Sequence, residues 1–255
     1  MTKQPFNAKG RRAQKLLKLV HSDVHGPMSI QVKDGYKYFI TFTGDYSRFG
    51  YVYPMKRKSK TFEKFKEFRA EVENQLGKHI KVIRSDQGGE YLLRDFKNYL
   101  TEHGIISQLT APGTPQQNGV AERRNKILLD LVRSMLSYST LLISFWGYAL
   151  NIAIYLLNSV PLKSVPETHV ELWIRRKPSM RHLHIWGCPA HVLNENSDKL
   201  QSKTKVVFFV RYPKGNIEGL FYSHKDNKVF VSTNANFLDN DYMNDYAPKS
   251  RVVLA

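Results

Sequence analysis

Apolar residues change their period along this chain, and each change predicts an element. Tyr36-Lys-Tyr-Phe-Ile-Thr-Phe-Thr43 is dense in aromatic and β-branched residues, and Gly50-Tyr-Val-Tyr53 follows after a short turn. Two such runs joined this closely predict antiparallel neighbours. Leu16 to Asp23 precedes them, a short β-capable run ending on an acid. From Thr61 the period lengthens. Phe62, Phe65, Phe68, Val72 and Leu76 recur at helical intervals with Lys and Glu between them, and Gly77 ends the helix. A strand (Ile80 to Ser85), a helix (Leu92 to Glu102, stopped by Gly104) and a strand (Ile105 to Thr110) complete the order β-β-β-α-β-α-β.

Ala111 to Gly119 holds two Pro and two Gly and reads as a loop, the alternative being that Thr114-Pro-Gln-Gln caps a helix turn with Pro at its first position. A long helix is expected from Val120 to Tyr138, because Ile127/Leu128, Leu131/Val132 and Met135/Leu136 repeat every four residues. Phe145 to Asn158 predicts a second apolar helix packed against it. Pro161 and Pro166 then break regularity, and 206–210, 219–222 and 228–232 read as three short strands. The division expected is a basic arm at 1–15, a core at 16–160, a linker and helical extension at 161–203, a small β-rich appendage at 204–240 and a tail at 241–255.

Charge adds a partner to this picture. The chain of 255 residues has 39 Lys plus Arg against 22 Asp plus Glu, a net charge of +17. That balance suits nucleic acid first and an anionic membrane surface second. One cysteine, Cys188, excludes a disulfide within the chain and a Cys-rich zinc site, and its apolar neighbours make it a small buried hydrophobe. The most apolar stretch, Leu141 to Val160, contains Ser144, Asn151 and Asn158 and reads as a buried helix, not a membrane span. The basic N-terminus lacks the apolar run of a secretory signal.

Four words in order give the chemistry: His21-Ser-Asp23-Val-His-Gly-Pro-Met, Gly44-Asp-Tyr-Ser-Arg48, Arg84-Ser-Asp86-Gln-Gly-Gly-Glu-Tyr91 and Thr114-Pro-Gln-Gln-Asn-Gly-Val-Ala-Glu-Arg-Arg-Asn125. Glu171-Leu-Trp-Ile-Arg-Arg-Lys-Pro178 and His184-Ile-Trp-Gly-Cys-Pro189 follow. Together they resemble the integrase core of Ty1/copia-type LTR retrotransposon Pol polyproteins over roughly residues 3 to 240. The resemblance implies an α/β, RNase H-like fold: a mixed five-stranded sheet flanked by helices, then a helical extension and a small C-terminal β appendage. It implies that Asp23, Asp86 and Glu122 are catalytic and bind two divalent ions. It also implies DNA as partner, self-association, no small-molecule cofactor, no membrane, and action in the nucleus after synthesis in the cytoplasm. Gly44 and Gln87 depart from residues frequent in the family, and neither replaces a member of the triad. The family's His/Cys zinc-binding segment precedes the part matching Met1 to Phe6, so strand transfer is not assigned to this chain alone.

Three carboxylates brought to one point repel, and one would take up a proton unless cations neutralise them. Oxygen ligands without Cys or clustered His suit Mg²⁺ or Mn²⁺. Two such ions about 4 Å apart can activate an attacking oxygen and stabilise a leaving one on a phosphodiester. Gln116, Gln117 and Asn118 are candidates for DNA-end contact, against a rigid connector. Arg123, Arg124, Lys126 and Arg133 are a candidate phosphate-tracking row, against a solvated face. Asp45 is expected to be structural and Glu90 peripheral. The competing functions are an integrase core, a truncated, inactive nucleic-acid-binding remnant, and an RNase H-type nuclease.

Overall fold

The structure, a computed structural model, describes residues 12–32, 34–110, 115–161, 167–180, 182–194, 200, 202–213, 218–239 and 242, with backbone only for 115–118. Strands β1 (Val20–His25), β2 (Tyr38–Gly44) and β3 (Gly50–Met55) form an antiparallel meander. Helix α1 (Thr61–Leu76) leads to β4 (Val82–Ser85), and the short helix α2 (Gly89–Leu92) and α3 (Arg94–Glu102) lead to β5 (Ile106–Leu109). The sheet order is β3-β2-β1-β4-β5, with β1 and β4 parallel neighbours. This is the mixed five-stranded sheet expected.

Each face of the sheet has its own core. On one, Phe65, Phe68 and Val72 of α1 are buried against Ile40 and Phe42, and the Phe42 and Phe68 rings stack 4.3 Å apart. Gly77, at φ 60, caps α1 in the left-handed region that Gly enters freely. On the other, Leu128 and Val132 of α4 (Pro115–Ser137) and Ala149 and Ala153 of α5 (Trp146–Ser159) bury Phe39. Helix α5 is the buried helix expected. Among the described residues no helix is long and apolar enough to cross a membrane.

The sequence predicts one helix over 92–102, and two are found, hinged at the extended residue Leu93. The cause is phase. Tyr91 and Phe96 are both buried, yet in one continuous helix residues five apart point about 140° away from each other. The break lets both turn inward.

Helix α6 (His169–Ile174) begins with a capping box between Thr168 and Glu171. The C-terminal sheet has five antiparallel strands, not three: β6 (Pro189–Leu193), β7 (Thr204–Arg211), β8 (Gly219–Ser223), β9 (Lys228–Ser232) and β10 (Ala235–Phe237), in the order β10-β6-β7-β8-β9. Cys188, which leads into β6, is fully buried, and desolvation together with a hydrogen bond to Asp239 raises its thiol pKa. That is the inert, core-filling cysteine expected.

Asp45, at the turn after β2, ties the segment before β1 to the sheet. It accepts from His21 Nε2 (2.9 Å) and the Ala13 N–H (2.6 Å), with Arg48 3.2 Å away. Burial alone would raise its pKa, but the His21 and Ala13 hydrogen bonds and the Arg48 charge outweigh it and bring the carboxyl to about 2. A depressed acid pKa gives stability that is present above the unfolded value near 4 and lost as pH falls towards 2. Asp45→Asn should therefore cost about 2 kcal/mol at pH 7. Urea denaturation of both proteins should show that gap closing between about pH 4 and pH 2. A gap independent of pH would rule out the charge as its source.

Candidate active site

Parallel pairing of β1 and β4 puts two of the predicted acids at the same end of neighbouring strands. Asp23 lies towards the C-terminal end of β1, and Asp86 follows the last residue of β4 directly. Strand ends in open α/β sheets are where such sites collect. Asp23 is half-buried and fixed from α4: its Oδ2 accepts from Asn125 Nδ2 at 2.7 Å, while Asn125 Oδ1 accepts from Thr41 Oγ1 at 2.9 Å. Asn125 is 2 % exposed, so one amide couples α4, β1 and β2 at the acid. Sequence reading missed Asn125. Its one sequence cue, a place three residues or about one helical turn after Glu122, does not by itself point to Asp23.

Asp86 Oδ1 accepts from the Gly88 N–H at 3.1 Å. Glu90 closes on the same residue: a Cβ on Gly88 would meet Glu90 Oε1 at 3.0 Å and Asp86 Oδ1 at 3.1 Å. Glu90, expected to be peripheral, is thus beside Asp86. Beneath them lies Tyr91, whose hydroxyl is 2.7 Å from Ser22 Oγ. Burial drives the Tyr91 pKa well above its usual range, and the Ser22 hydrogen bond pulls against it. The charges of Asp23, Asp86 and Glu90 then add to the rise. Three carboxylates therefore act on one buried phenol, which stays protonated.

Glu122 is exposed in the early turns of α4, on the face it shares with Arg123, Lys126, Asp130 and Arg133. Of the predicted DNA-binding row, Arg123 and Lys126 are exposed, and Arg133 pairs with Asp130 at 2.6 Å. Arg124 is a correction: it points inward and is 6 % exposed. It donates to the Arg48 carbonyl (2.6 Å) and to Asn158 Oδ1 (2.5 Å), because its position shares the helical phase of the buried Ala121, Leu128 and Val132. The side chains of Gln116, Gln117 and Asn118 lie outside the described residues.

Among the described residues no group of three His, Cys, Asp or Glu side chains is gathered tightly enough to hold a metal ion. The donor chemistry fits a hard divalent cation nonetheless. Asp23, Asp86, Glu90 and Glu122 offer only carboxylate oxygens, and the one thiol, Cys188, is fully buried at the start of the C-terminal sheet.

Residues 14–115 match the integrase core domain family, and 188–250 match the retroviral polymerase SH3-like domain. The retrovirus-related Pol polyprotein from transposon TNT 1-94 of Nicotiana tabacum is 45% identical over 213 residues, 81% of this chain. That from transposon RE2 of Arabidopsis thaliana is 29% identical over 213 residues, 82% of this chain. The chain belongs to the Ty1/copia integrase family of Pol polyproteins. It spans only 16% and 14% of those two relatives. The integrase-core match covers Asp23 and Asp86 and stops before Glu122. A simian T-cell lymphotropic virus intasome, solved in complex with PP2A regulatory subunit B56 gamma, aligns over 89% of this chain and 77% of its own. At TM-score 0.54 and 18% identity it shares the RNase H-like fold.

Proposed function

We propose that this integrase-family chain carries the catalytic core of a metal-dependent polynucleotidyl transferase that processes element DNA ends and joins them to target DNA. The observation that carries the reading is the pairing of Asp23 and Asp86 at one end of neighbouring parallel strands. Residues 16–160 form that core, and 204–240 an appendage.

Asp23, Asp86 and Glu122 would hold two Mg²⁺ or Mn²⁺ ions, which supply Lewis acidity and a nucleophile at neutral pH when bound. The chain's own residues do the positioning. Asn125 orients the Asp23 carboxylate, and the Gly88 N–H orients that of Asp86. Tyr91 keeps its proton under the site. Gln116, Gln117, Asn118, Arg123, Lys126 and Arg133 guide DNA along α4, the last after release from Asp130. Action on chromosomal DNA implies a nuclear location, and joining two ends implies self-association.

The test is strand transfer of an oligonucleotide carrying the element's terminal sequence into plasmid DNA with Mn²⁺. The chain is assayed alone and joined to the zinc-binding segment typical of the family. Joined product that disappears with EDTA supports the reading. Tight DNA binding without product in both forms would favour a nucleic-acid-binding remnant, and cleavage of RNA–DNA hybrids alone an RNase H-type nuclease.

A further inference from the structure

The sheet face that carries Asp23 is only partly covered. Register puts Arg84 opposite His21, Val82 opposite Ile106 and Arg84 opposite Gln108, so these side chains share the face of His21 and Asp23. Helix α4 packs over β1 and β2 on that face, through Asn125 and Leu128. Beyond it β4 and β5 lie open, and Ile106 is 61 % exposed. A cavity of about 290 Å³ sits there, lined by Arg12, Gln14, Lys18, Val82, Arg84 and Gln108 among others. Among the described residues its lining has three cations and no carboxylate. Among the described residues none of the three makes an ion pair.

The cations stand on fixed backbone. Arg12 donates to the Asp45 and Tyr46 carbonyls, Ala13 N–H to Asp45 Oδ2, and Lys81 N–H to the Leu17 carbonyl, which clamps 12–18 to the sheet. Arg84 donates to Gln108 Oε1 at 2.9 and 3.3 Å. A neutral amide thus orients the guanidinium without cancelling its charge, as a carboxylate would. Guanidinium forks held this way match phosphate oxygens.

We propose that this open β4–β5 shelf, with Arg12, Lys18 and Arg84, binds the phosphodiester backbone of the nucleic acid strand that continues past the carboxylates. The inference rests on the integrase reading. Arg84 precedes Asp86 by two residues, about 7 Å of strand, or roughly two nucleotide rises. A strand held at Asp86 therefore meets the shelf next. The same charges could take an acidic protein segment, but continuity with the carboxylates favours nucleic acid.

The experiment is equilibrium binding of a labelled DNA duplex in EDTA across a salt series, which needs no catalysis. The parent chain is compared with Lys18→Ala/Arg84→Ala and with Lys225→Ala/Lys228→Ala, which removes two exposed charges from the remote β8–β9 hairpin. The shelf variant should bind roughly tenfold more weakly, with a log–log salt slope smaller by about 1.8, as loss of two phosphate contacts on a duplex requires. Lys225→Ala/Lys228→Ala should keep the parent slope. Arg84→Lys, which keeps the charge, should retain most of the slope. Equal slopes in the parent and the shelf variant, with the parent binding, would overturn the shelf alone. No binding by the parent would sink the integrase reading with it. Polyglutamate displacing the DNA better than unlabelled duplex of equal charge would assign the shelf to an acidic protein instead.

Discussion

Glu122→Gln and Asp86→Asn should each leave the fold intact and reduce Mn²⁺-dependent strand transfer about a thousandfold. The size follows from the chemistry. A metal ion contributes several kcal/mol of charge stabilisation to a phosphoryl-transfer transition state, and about 4 kcal/mol is a factor near a thousand. Both changes preserve shape and remove one anionic ligand. Glu122 is exposed, so stability should stay within about 0.5 kcal/mol. Asp23→Asn is the less clean test, because Asp23 also accepts from Asn125 and an amide there weakens the positioning contact. Glu90→Gln is the informative companion. Its carboxylate lies beside Asp86 across Gly88, and on the triad reading the change should cost less than tenfold. If Glu90→Gln fell as far as Asp86→Asn while Glu122→Gln stayed active, the third ligand would be Glu90 and the triad as drawn would be wrong.

Strands and helices were legible wherever one face of an element is buried. The run Tyr36 to Thr43 and the spacing of Phe65, Phe68 and Val72 announce their packing because alternate or helical positions must leave water. The neighbouring placement of Asp23 and Asp86 was legible only through the resemblance, because the RNase H-like sheet it implies sets the first and fourth strands side by side. What stayed hidden depends on contacts between distant segments. The break at Leu93 requires knowing that Tyr91 reaches Ser22, 69 positions earlier. Strand β10 is three residues long and gains its identity from pairing with β6, too short for any period to register. Asn125 reads as one polar residue of a basic word until α4 is laid over Asp23 and Thr41.

Arg124 is the opposite case, in which the sequence held the answer. Ala121, Arg124, Leu128 and Val132 fall on one helical stripe, yet proximity to Arg123 and Lys126 groups Arg124 with a charged cluster. Periodicity outranks clustering here, because a helix has a fixed geometry and a cluster has none.

Arg124→Ala should therefore destabilise the protein by about 3 kcal/mol without weakening DNA binding directly. Among the described residues the side chain has no carboxylate partner. Burial, then the nearby Arg48 charge, lower its pKa to about 9, and its Nε is buried without a hydrogen bond. It persists because it satisfies two acceptors, the Arg48 carbonyl and Asn158 Oδ1. Asn158 in turn accepts from the Gly50 N–H at 3.0 Å and donates to its carbonyl at 2.8 Å, closing the outer edge of β3. Gly50 makes room for this, since a Cβ there would lie 2.4 Å from Arg124 Nε. Truncation leaves a void, an unpaired carbonyl and a weakened β3 edge, which should lower the melting temperature by roughly 6–12 °C. Arg124→Met fills the stem volume and removes the buried charge, so it should cost only about 1 kcal/mol. Differential scanning calorimetry of the two variants, paired with the duplex-binding series, separates the roles. Wild-type stability in Arg124→Ala with DNA affinity lost in both variants would turn the side chain outward and restore Arg124 to the phosphate row.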